Sequence, residues 1–585
     1  MHTTLGIFAH TDSGKTTFTE MLLVLGKLIS QAGSIEEGTT ESDQLPEEIE
    51  RGISIRTSYF SIQYQNVNLQ IIDTPGHIDF RSQIRITLPV LDAAILLLDS
   101  GFPVQSQARL LMQELKNLEI PILYFINKLD IHEDYTETLV SLESLLQKRT
   151  FPIFQKTNDW EYFFSNPEKF SQVIWEDAVS LQSDNLEKYL QFPDFSIVAQ
   201  TLVDAFFQSK VIPVIGGSAK MGYGVKEALD FLTFPSKFQK TRVQEENQIL
   251  ARRNLTEMGR AIICRRGTKD IKVTSPLLVL QGLGWEEGEP KPGQIFAKRP
   301  EEEKFPLETD LNFFFSWEPE SDSDLAECLE ELEICLWEDP TYHNTQTELG
   351  TFLIRGEGEL HLEILQERWL SRFKKKLQFG RIQVASYDKP KKLTKKVSFE
   401  HQAFGTELSS GVLEVFLEDT ASFSKPLAFE VSLPESWQQS ISESFEEALE
   451  RGIRGREIVG LTVRVLDYKP PTGSQAKYLV LLKVAILAGL KTELEGFLEK
   501  VGPSTDFELW IPSSSLGTVL ADLNRRVAKI LSLEEGQDGF TTLVGTAPTE
   551  KLLGFSGALR NMTKGIGISW ERTAFTYDKH AVLKE

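Results

Sequence analysis

A short strand, a glycine-containing loop and a helix open the chain, and this combination constrains the fold more than any other feature. The loop reads Ala9-His10-Thr11-Asp12-Ser13-Gly14-Lys15-Thr16. Apolar residues 5–9 precede it, and a helix is predicted over 16–29. Backbone N–H groups of residues 12–16 would point at phosphate oxygens, and the helix dipole would favour negative charge there. The alternative is a glycine-rich turn that only begins a helix.

Length and composition indicate a multidomain globular protein. A chain of 585 residues is too long for one hydrophobic core, and 41% hydrophobic with 25% charged residues is typical of soluble proteins. The net charge of −23 argues against nucleic acid coating the whole surface, although local basic patches could still bind it. Residues 478–490 form the longest apolar stretch, which is too short to span a bilayer. With no signal peptide predicted, we expect a cytoplasmic protein without a membrane partner.

A second motif follows an apolar stretch, residues 67–72, and reads Asp73-Thr74-Pro75-Gly76-His77. An aspartate at the end of a buried strand can hold Mg²⁺, usually through water, so Asp73 is a candidate. Gly76 can bring its N–H to a γ-phosphate because it has no Cβ. The alternative is a Pro-Gly turn that closes a strand.

Two further strands are predicted over 90–99 and 120–126, and the second runs into Asn127-Lys128-Leu129-Asp130. A carboxylate at 130 can accept from N1–H and the exocyclic amino group of guanine, which adenine cannot match. Asn127 can tie the base to the phosphate loop, and the Lys128 stem can lie over the ring. As an isolated tetrapeptide it could be a capping turn, but behind the two earlier motifs chance explains it poorly.

The remaining signals concern a switch and a second base contact. The segment Arg51-Gly52-Ile53-Ser54-Ile55 lies where a mobile switch would close on Mg²⁺, with Ser54 offering its hydroxyl. A strand predicted over 211–215 leads to Ser218 and Ala219, whose backbone N–H could contact the guanine carbonyl. The candidate GTP-binding residues are His10, Thr11, Asp12, Ser13, Gly14, Lys15, Thr16, Thr17, Asp73, Gly76, Asn127, Lys128, Asp130, Ser218 and Ala219. Lys15 would neutralise the β- and γ-phosphates, and the candidate Mg²⁺ ligands are Thr16, Ser54 and Asp73.

Together these motifs resemble a translational GTPase of the elongation factor G type. Within that group, residues 36–43 resemble the corresponding stretch of the tetracycline-resistance ribosomal protection proteins. The resemblance implies a ribosome-dependent GTPase that uses GTP and Mg²⁺, with His77 as the catalytic residue that positions the attacking water. Two positions depart from the family pattern: Thr11 stands where Val is usual, and Ser54 where most relatives have Thr, although the release-factor branch also has Ser there.

The same resemblance implies a multidomain α/β and α+β fold. A P-loop GTPase domain would be followed by a shortened β-barrel-like second domain and three α+β domains. The expected bounds are 1–235 for the GTP-binding domain with an insertion at 131–210, 236–308 for the second domain, 309–388 for the third, 389–502 for an elongated fourth, 503–572 for the fifth and 573–585 for a helix-prone tail.

Several features beyond the first domain have two readings. The basic residues between 372 and 396 could contact RNA phosphates or form a solvated linker. His361, flanked by acids, could suggest a metal site, but the start of a helix is favoured. The loop 468–475 could reach the decoding centre or simply join a strand to a helix. Cys264, Cys328 and Cys335 are expected to be small buried side chains.

The expected partner is the ribosome, and the protein is expected to be a monomer. The favoured function is ribosomal protection by release of tetracycline or a similar ligand. The alternatives are elongation factor G-like translocation or ribosome disassembly, and a GTP-gated ribosome-binding regulator that hydrolyses GTP poorly.

Overall fold

The computed structural model describes most of the chain: residues 2–10, 12–35, 37–43, 45–51, 54–235, 248–255, 259–265, 277–281, 312–339, 341–347, 350–373, 377–402, 410–420, 425–470, 475–535, 539–564, 568–574 and 581–582. The chain divides into two compact units. The first is Met1–Leu311 with Phe315–Gly380, and the second is Asn312–Phe314 with Arg381–Glu585. Within the described residues, no helix combines the length and the apolar character needed to cross a membrane.

The first 235 residues alternate strands and helices. The strands are β1 (His2–Ala9), β2 (Ser58–Tyr64), β3 (Val67–Asp73), β4 (Ala93–Asp99), β5 (Ile122–Asn127), β6 (Phe151–Pro152), β7 (Phe154–Lys156), β8 (Trp160–Tyr162) and β9 (Pro213–Gly216). The helices are α1 (Lys15–Leu25), α2 (Pro46–Arg51), α3 (Arg81–Thr87), α4 (Ser106–Asn117), α5 (Thr136–Leu146), α6 (Gln172–Val179), α7 (Ser183–Gln191), α8 (Phe195–Phe207) and α9 (Val225–Thr233).

Seven of these strands form one sheet in the order β2-β3-β1-β4-β5-β9-β6. All neighbours are parallel except β2, which runs antiparallel to β3. Continuous apolar runs make this possible, since β4 is buried along its whole length. Parallel strands end at one edge, so the segments that follow β1, β3, β4, β5 and β9 meet there.

Strand boundaries differ from the predictions where side chains compete for the backbone. β2 begins only at Ser58, because the N–H groups of Ile55 and Arg56 donate to the Glu48 carboxylate instead of a neighbouring strand. The strand predicted over 90–99 begins at Ala93, because residues 88–90 form a 3₁₀ turn. The first helix ends at Leu25 rather than at residue 29.

The rest of the first unit holds two antiparallel sheets. The first contains β10 (Gln248–Leu255), β11 (Gly259–Arg265) and β12 (Leu277–Gln281). These strands are the described part of the predicted second domain, and its remainder lies outside the described residues. The later elements are β13 (Phe313–Pro319), α10 (Leu325–Glu338), β14 (His343–Gln346), β15 (Phe352–Gly356), α11 (Glu359–Phe373) and β16 (Leu377–Phe379). Their strands follow the order β14-β15-β13-β16, with Trp317 and Trp369 buried at 4.9 Å between ring centroids.

The second unit contains three further sheets. Its strands are β17 (Gln383–Val384), β18 (Tyr387–Pro390), β19 (Thr394–Gln402), β20 (Ser410–Asp419), β21 (Leu427–Phe429), β22 (Leu461–Lys469), β23 (Leu498–Gly502), β24 (Ser504–Pro512), β25 (Lys529–Glu535), β26 (Phe540–Pro548), β27 (Ile568–Ala574) and β28 (Ala581–Val582). Its helices are α12 (Glu435–Arg451), α13 (Gln475–Leu494), α14 (Leu516–Arg525), α15 (Thr549–Leu552) and α16 (Phe555–Met562). The sheet orders are β19-β20-β22-β21, β25-β26-β24-β27 and β18-β23-β28.

The prediction of a helix-prone tail in this unit was wrong. The tail from 573 onward is not helical where it is described, since β27 and β28 pair with β24 and β23. α14 ends at Arg525, because Val527 adopts a left-handed φ of 60° that an α-helix cannot contain. α13 ends at Leu494.

Candidate nucleotide-binding site

The phosphate loop joins the buried end of β1 to α1. Asp12 and Gly14 both have left-handed φ values, 64° and 85°, which turn the chain sharply before the helix. A Cβ at Gly14 would lie 2.5 Å from the Asn127 amide nitrogen, so only glycine fits here. Ser13 is buried, and its N–H donates to the His10 carbonyl at 3.2 Å. Thr11 lies outside the described residues.

The polar side chains expected to hold phosphate and Mg²⁺ converge. Lys15 Nζ lies 2.8 Å from Asp73 Oδ1 and 3.0 Å from Ser54 Oγ. The Thr16 hydroxyl lies 3.4 Å from the same Ser54 oxygen. Burial raises the pKa of the Asp73 carboxyl, and the Lys15 ammonium opposes that rise. Motifs 58 residues apart in the chain therefore meet in one buried cluster.

Asp43 joins this cluster, although the sequence reasoning did not select it. Its Oδ2 accepts from the Thr16 hydroxyl at 3.1 Å. Its Oδ1 is buried and has no hydrogen-bond partner among the described residues. A buried carboxylate oxygen without a partner is costly unless a cation or water satisfies it. With Thr16, Ser54 and Asp73 it completes a set of oxygen donors of the kind that Mg²⁺ prefers, so the residues present fit the ion.

The base-reading turn is tied to its neighbours through Asn127. Its Nδ2 donates to the Ser13 carbonyl at 2.9 Å, and its Oδ1 accepts from the Ala219 N–H at 2.9 Å. One amide thus connects the phosphate loop, β5 and the turn after β9. Ser218 is buried, and its hydroxyl accepts from the Met221 N–H at 3.1 Å.

The two charged residues of the same turn behave differently. Asp130 is exposed, where a base can reach it. Lys128 has a left-handed φ of 67°, and its ammonium lies 2.8 Å from the buried Asp99 carboxylate at the end of β4. Asp99 was not selected from the sequence. In the structure it lies beside Asn127 in the β4–β5 register.

Gly76 and His77 follow β3 in the loop before a 3₁₀ turn. The Gly76 carbonyl accepts from the Gln107 amide of α4. His77 is partly exposed, and its Nδ1 accepts from the Asp79 N–H at 3.2 Å. His77 is near enough to His10 to influence the pKa of that imidazole, which burial lowers.

Two buried glutamates hold the segment around the expected switch, and neither was selected from the sequence. Glu20 on α1 accepts from the N–H groups of Gly33, Glu41 and Ser42. Glu48 accepts from three more, those of Leu45, Ile55 and Arg56. Burial raises the pKa of the Glu48 carboxyl, against the lowering effect of these hydrogen bonds.

Residues 315–380 of the first unit, here called the third-domain part, pack on the same segment. Arg51 lies 3.1 Å from Glu363 and 2.5 Å from Glu367 on α11. Further along the chain, Arg56 lies 3.0 Å from Glu338, which also binds Arg368 at 2.6 Å. Ion pairs thus join residues that flank Ser54 to α10 and α11.

Apolar and polar contacts extend this packing to the loop that follows His77. Asp79 Oδ2 accepts from the Leu360 N–H at 3.0 Å. Ile55 and Phe80 share a small buried cluster with Ile364. Both segments expected to sense the γ-phosphate therefore rest on the third-domain part.

His361 and two of the cysteines singled out in the sequence are buried. His361 is buried, with Nε2 3.1 Å from the Thr341 hydroxyl and its ring stacked on Tyr342. Cys328 and Cys335 are buried as expected. Ile53 and Lys374, Lys375 and Lys376 lie outside the described residues.

Three lysines of the predicted basic patch lie in ion pairs. Lys391, Lys395 and Lys396 pair with Glu499, Glu493 and Glu414, respectively.

Comparison with known families agrees with this geometry. The family described as "Elongation factor Tu GTP binding domain" matches residues 1–236. "Elongation Factor G, domain III" matches 311–381, and "Elongation factor G C-terminus" matches 500–579. The chain carries the domains of an elongation factor G family GTPase.

Two relatives of this GTPase align along nearly its whole length, and a third aligns along less than half of it. Elongation factor G 2 of Syntrophomonas wolfei is 25% identical over 659 residues, with 96% of this chain and 94% of that protein covered. Tetracycline resistance protein TetS of Listeria monocytogenes is 24% identical over 608 residues, with 96% and 93% covered. Tetracycline resistance protein TetO of Streptococcus pneumoniae is 34% identical over 248 residues, with 42% and 38% covered. A crystal structure from Thermus thermophilus has the same fold, with a TM-score of 0.64, 21% identity and coverage of 99% of this chain and 97% of that one.

These comparisons establish a GTP-hydrolysing enzyme that uses Mg²⁺. They also agree with the described fold, an N-terminal P-loop domain followed by elongation factor G domains.

Proposed function

We propose that this GTPase binds the ribosome and remodels it, and that the remodelling is ribosomal protection: release of tetracycline or a similar ligand. The observation that carries the first part is the convergence of Lys15, Thr16, Ser54 and Asp73 under a segment that is itself braced by α10 and α11. A change in that segment on hydrolysis can be transmitted along the chain through these contacts.

Individual residues take the following parts in the proposal. Lys15 binds the β- and γ-phosphates, and Asp130 reads guanine while Asn127 holds that turn against the phosphate loop. Oxygens of Thr16, Ser54 and Asp73 would hold Mg²⁺, which would supply positive charge against the charge that develops on the phosphates. His77 orients the attacking water once an activating partner moves it inward.

Alignment lengths support the protection subfamily. TetS and elongation factor G 2 each cover 96% of this chain, but their alignments span 608 and 659 residues. TetS therefore aligns with fewer inserted positions. The segment similar to TetO, 248 residues long, is 34% identical.

The base of the loop between β22 and α13 supports a reaching role for the second unit. Tyr468, near the end of β22, is buried between His401 and Trp437. Its hydroxyl lies 3.4 Å from His401 Nε2. These ring contacts would fix the end of β22, the point from which the following loop would contact a target. Residues 471–474 lie outside the described residues.

One experiment tests both parts of the proposal. GTP turnover is measured with and without 70S ribosomes, together with release of radiolabelled tetracycline from those ribosomes. Stimulated turnover with GTP-dependent release supports protection. Absence of stimulation contradicts the ribosome-dependent role, and stimulated turnover without release contradicts protection.

The His77→Ala variant tests the catalytic assignment. We expect stimulated turnover to fall by roughly 100-fold or more, because general positioning of the nucleophile contributes on this scale. GTP affinity, measured with a fluorescent analogue, should stay within about twofold. Lys116→Ala, at an exposed position of α4 in the same domain, is a suitable control. Full stimulated turnover in His77→Ala would refute the assignment.

Translocation is the second candidate, because elongation factor G 2 is as similar in identity and coverage as TetS. It predicts that the protein moves a peptidyl-tRNA analogue on ribosomes so that puromycin can react. A puromycin assay run on the same preparations separates it from protection.

A further inference from the structure

Gln107, near the start of α4, bridges two parts of the site that are far apart in sequence. Its Nε2 donates to the Gly76 carbonyl, and its Oε1 lies 2.6 Å from His10 Nδ1. The contacts span 31 and 97 residues of chain. The Gln107 side chain is buried, so an amide group here depends on these partners for its hydrogen bonds.

The two contacts are mutually consistent. A glutamine that donates through Nε2 must accept through Oε1, so His10 Nδ1 carries the proton. Burial lowers the pKa of His10, which keeps the imidazole neutral with one defined donor. The phosphate loop, α4 and the residues after β3 are therefore joined by one amide of fixed orientation.

We propose that Gln107 is a positioning residue for GTP hydrolysis: it fixes the Gly76–His77 peptide against His10 and thereby holds the backbone of His77, from which the imidazole moves inward. The Gly76 carbonyl and the His77 N–H and Cα belong to one planar peptide unit, so anchoring that oxygen anchors His77. Gly76 lacks a Cβ and would otherwise allow this peptide to rotate freely. The inference rests on the catalytic role proposed for His77.

Variants of Gln107 separate positioning from binding. Gln107→Met keeps the length of the side chain but removes both hydrogen bonds. Gln107→Glu can still accept from His10 but cannot donate to Gly76. The control is Gln113→Met, an exposed position on the same helix. Turnover of GTP, affinity for a fluorescent GTP analogue and thermal unfolding are measured for each full-length variant, with and without 70S ribosomes.

We expect Gln107→Met and Gln107→Glu to lower turnover on the order of 10-fold to 100-fold, since small displacements of a catalytic group have effects of this size. GTP affinity and the unfolding temperature should match those of Gln113→Met. Turnover of Gln107→Met within about twofold of this control would overturn the proposal. A loss explained by weaker GTP binding would overturn it too.

The double variant His77→Ala/Gln107→Met tests whether Gln107 acts through His77. Turnover equal to that of His77→Ala alone supports the proposal, because the two residues then act as a unit. An additional drop equal to the full effect of Gln107→Met would show that Gln107 acts independently. Normal turnover of His77→Ala would instead refute the proposed role of His77. If ribosomes do not stimulate the unchanged protein, the proposed function is refuted. Turnover measured without ribosomes still compares Gln107→Met with Gln113→Met and therefore still tests the role of Gln107.

Discussion

Removing the Glu338 carboxylate should loosen the segment next to Ser54, although the two residues are far apart in the chain. Glu338 is almost fully buried and binds Arg56 at 3.0 Å and Arg368 at 2.6 Å. Arg56 keeps a small exposed fraction, 16% of its side chain, whereas Arg368 keeps 7%. The Glu338→Ala variant therefore breaks one contact to the switch segment and leaves a second cation buried without this partner.

The two losses differ in free energy and in the part of the structure that they affect. A hydrogen bond to a charged group contributes about 1.5–3 kcal/mol, so opening of residues 54–57 should become roughly 10-fold to 100-fold easier. Breaking a buried ion pair at one end costs about 3–5 kcal/mol, and this loss should fall on the packing of α10 against α11. Arg56→Ala should produce only the first effect.

Hydrogen–deuterium exchange measured by mass spectrometry distinguishes these effects. The amides of Ile55 and Arg56, which donate to Glu48, report on the switch segment, and those of α11 report on the helix pair. Glu333→Ala, at an exposed position of α10, is the matched control. If Glu338→Ala exchanges at residues 55 and 56 like this control, the reasoning that joins the third-domain part to the switch is wrong.

Three further predictions concern the nucleotide. Asp130→Asn should weaken GTP binding by about 100-fold and favour xanthosine triphosphate, whose 2-oxo group can accept from the new amide; competition against fluorescent GDP checks this. Gly14→Ala should raise the dissociation constant for GTP at least about tenfold, because its Cβ would meet Asn127 at 2.5 Å; an unchanged constant would contradict the geometry. Removal of Mg²⁺ by EDTA should weaken GTP binding in the unchanged protein and much less in Thr16→Ala, as a titration of Mg²⁺ would show.

Local patterns were sufficient to select most of the residues that the structure brings together at the candidate nucleotide site. The β1–loop–α1 unit and the tetrapeptide after β5 lie where their strands end, as predicted. Each is a short continuous segment, and a parallel sheet brings the ends of its strands to one edge. Asp43, Asp99 and Gln107 were not predicted, because each contributes a single side chain that belongs to no recognisable sequence motif.

The extent and type of some elements could not be predicted for a related reason. β2 begins only at Ser58 because Glu48 accepts from the N–H groups of Ile55 and Arg56. The described residues of the tail expected to be helical lie in strands that pair with β24 and β23. In both cases the backbone forms hydrogen bonds with a partner that intrinsic helix and strand propensities do not predict.

The sequence by itself predicted the chemistry of this protein: a phosphate loop, a guanine-reading turn and oxygen ligands for Mg²⁺, each from residue type and spacing within a few positions. Only the tertiary structure decided what holds these parts in register. Arg56 meets Glu338 across 282 residues, and Gln107 meets His10 across 97. Such contacts depend on the packing of whole elements, because a side chain's direction is fixed by the helix or strand that carries it and by the neighbours that bury it.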